Sequence, residues 1–290
     1  MALFEPKPRV AILGARGIGQ VHARLFHSLG ADVCAVLGST MRTSMQVAEQ
    51  LRKSLGISPM PFDNLEMLIE EAQPNALSIC TPAEYHFEQI LKAFKEGLPV
   101  FCEKPLFWGT EFSQEILEAK LAQLGRYEKK FLTLNTCNAY FLECVLEKSG
   151  KPSSIDSFSF SFYTQGPHRG RNIGVDLLPH GLSFLTTLLG YRDISHISQE
   201  VQRNSHCCQF DYGDCKVYFD FREKEDGPKH LAFTINDREF IRAQKGRGNT
   251  YQVFLIDQLS RKEIETEDPF KIYISRFLSQ LSSSPLVEGK

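Results

Sequence analysis

Up to Phe131, short apolar runs alternate with amphipathic segments of helical length, and few folds accept that order. Arg9 to Leu13, Asp32 to Leu37, Ala76 to Cys80 and Pro99 to Cys102 are short, apolar and bounded by turn signals, as buried strands are. Val21 to Ser28, Ser44 to Leu55, Asn64 to Glu71 and Phe87 to Glu96 carry helical spacing, and Gly97 stands where a helix commonly ends on a left-handed residue. Strict alternation of the two predicts an α/β fold with a parallel, doubly wound sheet.

After Phe131 the texture changes. Ser157 to Tyr163 alternates apolar and polar residues, Cys208 to Phe221 holds a Tyr212-Gly213-Asp214 turn, and His230 to Arg242 holds an Asn236-Asp237 turn, each between strand-like runs. One apolar helix is expected at Asp176 to Leu189 and an amphipathic one at Pro269 to Leu281. At 290 residues the chain exceeds one compact core of common size, so two domains are expected. They are an N-terminal dinucleotide-binding domain over 1–131 and a C-terminal α+β domain over 132–290, whose largely antiparallel sheet would serve substrate binding and oligomerisation.

Charge narrows the partners. Thirty-three basic residues against 35 acidic ones give a formal charge of −2, which drives no nonspecific binding to nucleic acid or an anionic membrane. No apolar run approaches the roughly 18 residues that span a bilayer, and Met1 to Pro6 lacks the apolar core of a signal peptide, so a soluble cytoplasmic protein is expected. Of the eight cysteines, Cys34, Cys80 and Cys102 fall in apolar strands, and no pair has the spacing of a structural zinc site. Reduced cysteines and no metal are expected, with His206 and His230 near Cys207-Cys208 as the alternative.

Gly14-Ala15-Arg16-Gly17-Ile18-Gly19 follows the first strand and opens a helix, the context in which a glycine turn seats a dinucleotide pyrophosphate in a Rossmann domain. Aligned as G-x-G-x-x-G, its middle position is Arg16, where glycine normally lets the backbone approach the diphosphate. Gly17 restores part of that freedom, and the Arg16 guanidinium is suited to charge-assisted bonds with phosphate. About 20 residues on, an NAD enzyme places an acid for the ribose hydroxyls. Here the stretch reads Leu37-Gly38-Ser39-Thr40-Met41-Arg42, without an acid, and Ser39, Thr40 and Arg42 offer donors to a ribose phosphate. NADP is therefore expected over NAD.

Thr81-Pro82 after the third strand-like run, His86, and then Cys102-Glu103-Lys104-Pro105-Leu106 after the fourth resemble the glucose-fructose oxidoreductase and inositol dehydrogenase (Gfo/Idh/MocA) family. The resemblance continues through Asp176 and His180. It implies cofactor contacts at Thr81, Pro82, His86 and Glu103, and an oxidoreductase acting on sugars, cyclitols or related small hydroxy or keto compounds. It also implies that Lys104 hydrogen-bonds the reacting oxygen, that His180 is the acid/base and that Asp176 assists it. The residue types fit these roles on their own terms. A histidine titrates near neutrality, whereas a lysine at about 10.4 is better suited to electrostatic stabilisation. Asp176 and His180 share a helix face at i and i+4, and Pro179 between them suggests the first turn of that helix.

The resemblance does not carry a substrate. Thr136-Cys137-Asn138-Ala139-Tyr140-Phe141 keeps the asparagine and second phenylalanine of a family run but lacks its two arginines, leaving Asn138 as a substrate-binding candidate. Arg169 and Arg171, in the polar loop before Asp176, are placed to grip an anionic substrate group, with a solvated basic loop as the plain alternative. A regulator of the same fold that senses a dinucleotide or sugar is the alternative function, which would not require Lys104, Asp176 and His180 together. A homodimer or homotetramer is expected from an open sheet face in the second domain.

Overall fold

The computed structural model describes residues 7–109, 113–127, 131–246 and 252–283. Met1 to Pro6, on which the absence of a signal peptide was read, lie outside the described residues. The chain forms two compact units, one of residues 1–135 with 273–290 and one of residues 136–272.

The first unit runs β1 (Arg9–Leu13), α1 (Ile18–Ser28), β2 (Asp32–Leu37), α2 (Met41–Leu55), β3 (Met60–Phe62), α3 (Leu65–Ala72), β4 (Ala76–Ile79), α4 (Ala83–Lys95), β5 (Val100–Glu103), α5 (Gln114–Gly125) and β6 (Leu132–Asn135). Its strands pair in parallel in the order β3-β2-β1-β4-β5-β6, the Rossmann order. β1, β4 and β5 are buried along nearly their whole length, which is why they read as unbroken apolar runs rather than alternating ones. Strand order reverses between β1 and β4, so a crevice for a ligand opens at their carboxyl ends.

β3 and β6 are absent from the sequence expectation. β3 is a three-residue edge strand around Pro61, too short for a periodic signal. β6 pairs in register with β5, so the first sheet extends to Asn135, past the boundary drawn at 131. The last helix, α8 (Pro269–Ser283), also departs from the sequence division. Its Phe277 packs edge-on against Phe26, Phe101 and Phe131 at ring-centroid distances of 6.1, 5.4 and 5.4 Å.

The second unit begins with a 3-10 turn at Cys137–Ala139 and α6 (Tyr140–Ser149), followed by β7 (Ser157–Thr164) and α7 (Arg171–Leu189). Then come β8 (Ile194–Gln202), β9 (Ser205–Tyr212), β10 (Cys215–Glu223), β11 (His230–Ile235), β12 (Arg238–Lys245), β13 (Gln252–Asp257) and β14 (Glu263–Thr266). The sheet order is β14-β13-β12-β11-β7-β10-β9-β8, antiparallel throughout except that β7 and β10 run parallel. The inward face is aromatic: Phe158, Phe160 and Phe233 pack against Phe184 of α7, and Phe219 and Phe221 pack against Phe160.

α7 begins at Arg171, so Pro179 lies in its interior rather than in a first turn. The ring costs the Val175 carbonyl its usual donor, a penalty of about 3 kcal/mol. Burial of Ile173, Gly174, Leu177, Phe184, Leu185 and Leu188 along one face keeps the helix continuous regardless.

Candidate active site

In a parallel sheet every carboxyl end lies at one edge, so the turns after β1, β4 and β5 are neighbours. Gly14 sits there at φ +77°, and a Cβ on it would lie 2.7 Å from the backbone of Cys80 and Thr81. The first glycine of the motif is therefore fixed by close packing of two strand ends, and a Cβ on Gly19 would lie 2.4 Å from the Gly14 carbonyl oxygen. Gly17, at φ +54°, caps α1 without a side-chain hydrogen bond and has open space where a Cβ would stand. Arg16 is exposed beside it and Ile18 begins the helix. A backbone turn at a helix start, open on its outer side, fits a pyrophosphate.

The turns after β4 and β5 are tied together by His86. Its ring is buried, with Nε2 2.7 Å from the Thr81 carbonyl oxygen and Nδ1 2.9 Å from that of Pro105. Thr81 also donates its hydroxyl to Gln89 at 2.6 Å, and Pro82 caps α4. His86 thus clamps the segment that carries Lys104 to the segment that follows the switch-point strand.

Glu103 faces inward. Its Oε1 meets His22 Nε2 at 2.9 Å and accepts from Asn135 Nδ2 at 2.5 Å, joining β5 to α1 and β6. His22 Nδ1 lies 2.9 Å from Ser78 Oγ and 3.1 Å from Cys80 Sγ. Burial by itself would lower the imidazole, but its contacts with Cys80 and Glu103 hold it above its ordinary value. Burial also raises the Cys80 thiol, which leaves that group uncharged near neutrality, so the lasting charged partner of His22 is Glu103. Burial acts on Glu103 in the opposite sense and is outweighed by His22, Asn135 and the Lys104 charge, which bring the carboxyl below its ordinary range. A buried imidazolium-carboxylate pair therefore underlies Lys104.

At the end of β2, Ser39, Thr40 and Arg42 are exposed. Thr40 caps α2: its Oγ1 accepts from the Thr43 amide at 3.2 Å, and its own amide donates to Thr43 Oγ1 at 3.1 Å. A carboxylate that the sequence reading missed stands beside them. Asp63, just past β3, accepts from the Met41 amide at 2.9 Å.

In the second unit, glycines bring α7 against the sheet. A Cβ on Gly174 would lie 2.2 Å from His206 Nδ1, and one on Gly181 would lie 2.6 Å from the Phe219 ring. Between those close approaches His180 is buried, its ring edge-on to Phe162 at 5.2 Å and its Nδ1 3.3 Å from Asn138 Nδ2. Asn138, expected as a substrate ligand, is itself buried and holds the His180 ring. Asp176 lies one turn back, and donor atoms of Asp176, His168 and Glu223 fall within 4.8 Å of one another. That set is of the kind that holds a metal ion, and it is not the His206 and His230 alternative read from sequence.

The loop before α7 is anchored. The His168 amide donates to Glu223 Oε2 at 2.9 Å, and the Gly170 amide to the Arg203 carbonyl oxygen at 3.0 Å. Arg169 turns back on this loop, donating to the carbonyl oxygens of Gly166 and His168 at 3.1 and 2.6 Å, with Glu225 3.6 Å away. Arg171 is exposed at the first position of the helix.

Residues 8–125 match the family model described as an oxidoreductase family with an NAD-binding Rossmann fold. This similarity to the Gfo/Idh/MocA family lies within the first unit. It is 28% identical over 181 residues to an inositol 2-dehydrogenase of Paracoccus denitrificans, a match that covers 59% of this chain and 48% of the relative. A D-glucoside 3-dehydrogenase of Escherichia coli is 22% identical over 233 residues, covering 75% of this chain and 65% of the relative. The chain thus spans about half the length of the first of these relatives. Among solved structures, UDP-N-acetylglucosamine 3-dehydrogenase from Acidithiobacillus ferrooxidans shares the fold at a TM-score of 0.72 and 16% identity, over 97% of this chain and 91% of that one.

His22 and Asp63 are the residues that sequence reasoning passed over. His22 had a faint signal, a histidine one turn before Phe26 on the apolar face of α1. Asp63 had none, because its partner Met41 is adjacent only through the pairing of β3 with β2.

Proposed function

We propose that this chain is an oxidoreductase that uses a nicotinamide dinucleotide to interconvert a hydroxyl and a carbonyl on a sugar, cyclitol or related small substrate. The observation that carries this reading is the placement of Lys104, directly after β5, at the same sheet edge as the Gly14 to Gly19 turn, in a domain matched to an NAD-binding family. Gly14, Gly17 and Gly19 would hold the pyrophosphate, with Arg16 at its rim. On the donors of Ser39, Thr40 and Arg42 alone, the cofactor would be NADP. The bound nicotinamide supplies the two-electron chemistry.

The protein's own part is binding and proton management. Lys104 hydrogen-bonds the reacting oxygen and stabilises negative charge on it. His180 takes or returns the hydroxyl proton. The Asn138 amide carries both donor and acceptor, so it can serve Nδ1 in either protonation state of the ring. Asp176, one turn away, biases the imidazole electrostatically. Arg171 is available for an anionic substrate group. A homodimer or homotetramer formed through the outer face of the second sheet completes the proposal.

The test is turnover of a panel of sugars, cyclitols and keto acids, followed by substitution. Lys104→Ala or His180→Ala should each lower kcat about 100-fold or more, the usual loss on removing a positioned acid/base or charge stabiliser, while dinucleotide binding changes little. Full activity in either variant overturns these roles. A wild-type protein that binds the dinucleotide but turns over nothing in the panel points instead to a ligand-sensing regulator.

A further inference from the structure

The position immediately after β2 is Gly38, and a Cβ there would lie 2.6 Å from Ser44 Oγ and 2.7 Å from Thr43 Oγ1. A side chain at Gly38 would have to displace both hydroxyls. The acid that an NAD-binding domain commonly carries at the end of its second strand is thus kept out of that position by packing.

The neighbouring strand supplies one instead. The Phe62 carbonyl oxygen accepts from the Gly38 amide at 3.0 Å and from Ser44 Oγ at 2.5 Å, and Phe62 pairs with Leu37 in the sheet. Those bonds fix the backbone one residue before Asp63. Its carboxylate then accepts from the Met41 amide, the first N–H of α2, while Thr40 Oγ1 takes that of Thr43. Two of the donors a ribose phosphate would use at this helix start already have acceptors, and one of those acceptors carries a full negative charge.

We propose that Asp63 sets the cofactor preference, opposing the 2′-phosphate of NADP and leaving NAD as the tighter ligand. This rests on the dinucleotide reading above and reverses the preference that Ser39, Thr40 and Arg42 suggest by themselves. Arg42, on the first turn of α2, is the opposing charge; it and Asp63 are both exposed, so salt screens the two alike. What favours Asp63 is its bond from the Met41 amide at 2.9 Å, which places the carboxylate at the helix start.

Direct titration of the full chain with NADH and NADPH tests the assignment without needing a substrate. The wild-type protein should bind NADH about tenfold or more tightly than NADPH, as expected for two like charges a few ångströms apart near the surface. Asp63→Asn should bind NADPH about tenfold better with little change for NADH, and Asp63→Glu, which keeps the charge, should keep the wild-type order. Salt gives a readout on the unaltered protein. Raising ionic strength should narrow the gap by screening the repulsion, whereas attraction dominated by Arg42 would make NADPH lose ground to NADH. A wild-type preference for NADPH, an unchanged ratio in Asp63→Asn, or that opposite salt trend overturns the proposal. Binding of neither cofactor overturns the dinucleotide reading itself, and the role of Asp63 with it.

Discussion

Glu103 in the first unit and Asp220 in the second are both shielded carboxylates beside a cation, yet their partners differ in the property that governs cost. The side chain of His22 is wholly buried against a Glu103 side chain that is 11% exposed, whereas Arg222 is 56% exposed against an Asp220 side chain that is 8% exposed. Glu103 is served from α1 and β6, elements distant in sequence. Asp220 is served by Arg222, two residues away on its own strand, with Tyr163 donating at 2.7 Å from neighbouring β7. An exposed guanidinium keeps most of its hydration and yields to water when removed. A buried imidazolium has no such replacement, so the first pair ties three elements together and the second decorates a strand.

The comparison breaks most sharply at His22. His22→Ala leaves Glu103 charged and buried without its partner and should cost about 3–5 kcal/mol of stability in denaturant unfolding. Pairing it with Glu103→Gln should return a good part of that loss, since the uncompensated charge is then gone. A cost below about 1 kcal/mol for His22→Ala would mean that water already reaches Glu103.

The next effect is on pH dependence. Glu103 is lowered in the folded protein, so its contribution is complete above the ordinary carboxylate pKa and is lost as pH falls through the lowered value. His22 is raised, so its contribution is complete below the ordinary imidazole pKa and is lost as pH rises through the raised value. Wild-type stability should therefore be greatest between the ordinary carboxylate and imidazole values, decline as pH rises from about 6.5 towards 10, and decline as pH falls below the carboxylate range. His22→Ala should lose the alkaline fall, and thermal melts of the two proteins across pH would reveal it.

The smallest effect is expected in the second unit. Arg222→Ala should cost about 1 kcal/mol, because Asp220 keeps its bond from Tyr163 and gains water. A loss as large as that of His22→Ala would remove the distinction drawn between the two pairs.

Periodicity in the first unit was a good guide where strands were long and buried. β1 and β2 fall at the residues expected, and α2, α3 and α4 lie within a few residues of their patterns. The second unit was legible at its hairpins, where Gly213-Asp214 and Asn236-Asp237 mark the turns, and illegible at β8, whose residues are all exposed and carry no alternation. α7 shows the limit of local rules. Pro179 argued for a helix start, but the turn at Gly170 and the buried face from Ile173 to Leu188 put the start at Arg171.

By itself the sequence determined the parallel, doubly wound character of the first sheet, the glycine turn and the identities of Lys104, Asp176 and His180, because these depend on chain-local patterns of apolar spacing, turn residues and motif. Tertiary structure decided which groups stand beside them. Glu103 turned inward to His22, Asn138 came to the His180 ring, and Asp63 reached the first turn of α2, in each case through strand pairing or helix packing between residues far apart in the chain. Hydrogen bonds and charge act over a few ångströms of space whatever the separation along the backbone, so the electrostatics of the site belong to the fold and not to the string of residues.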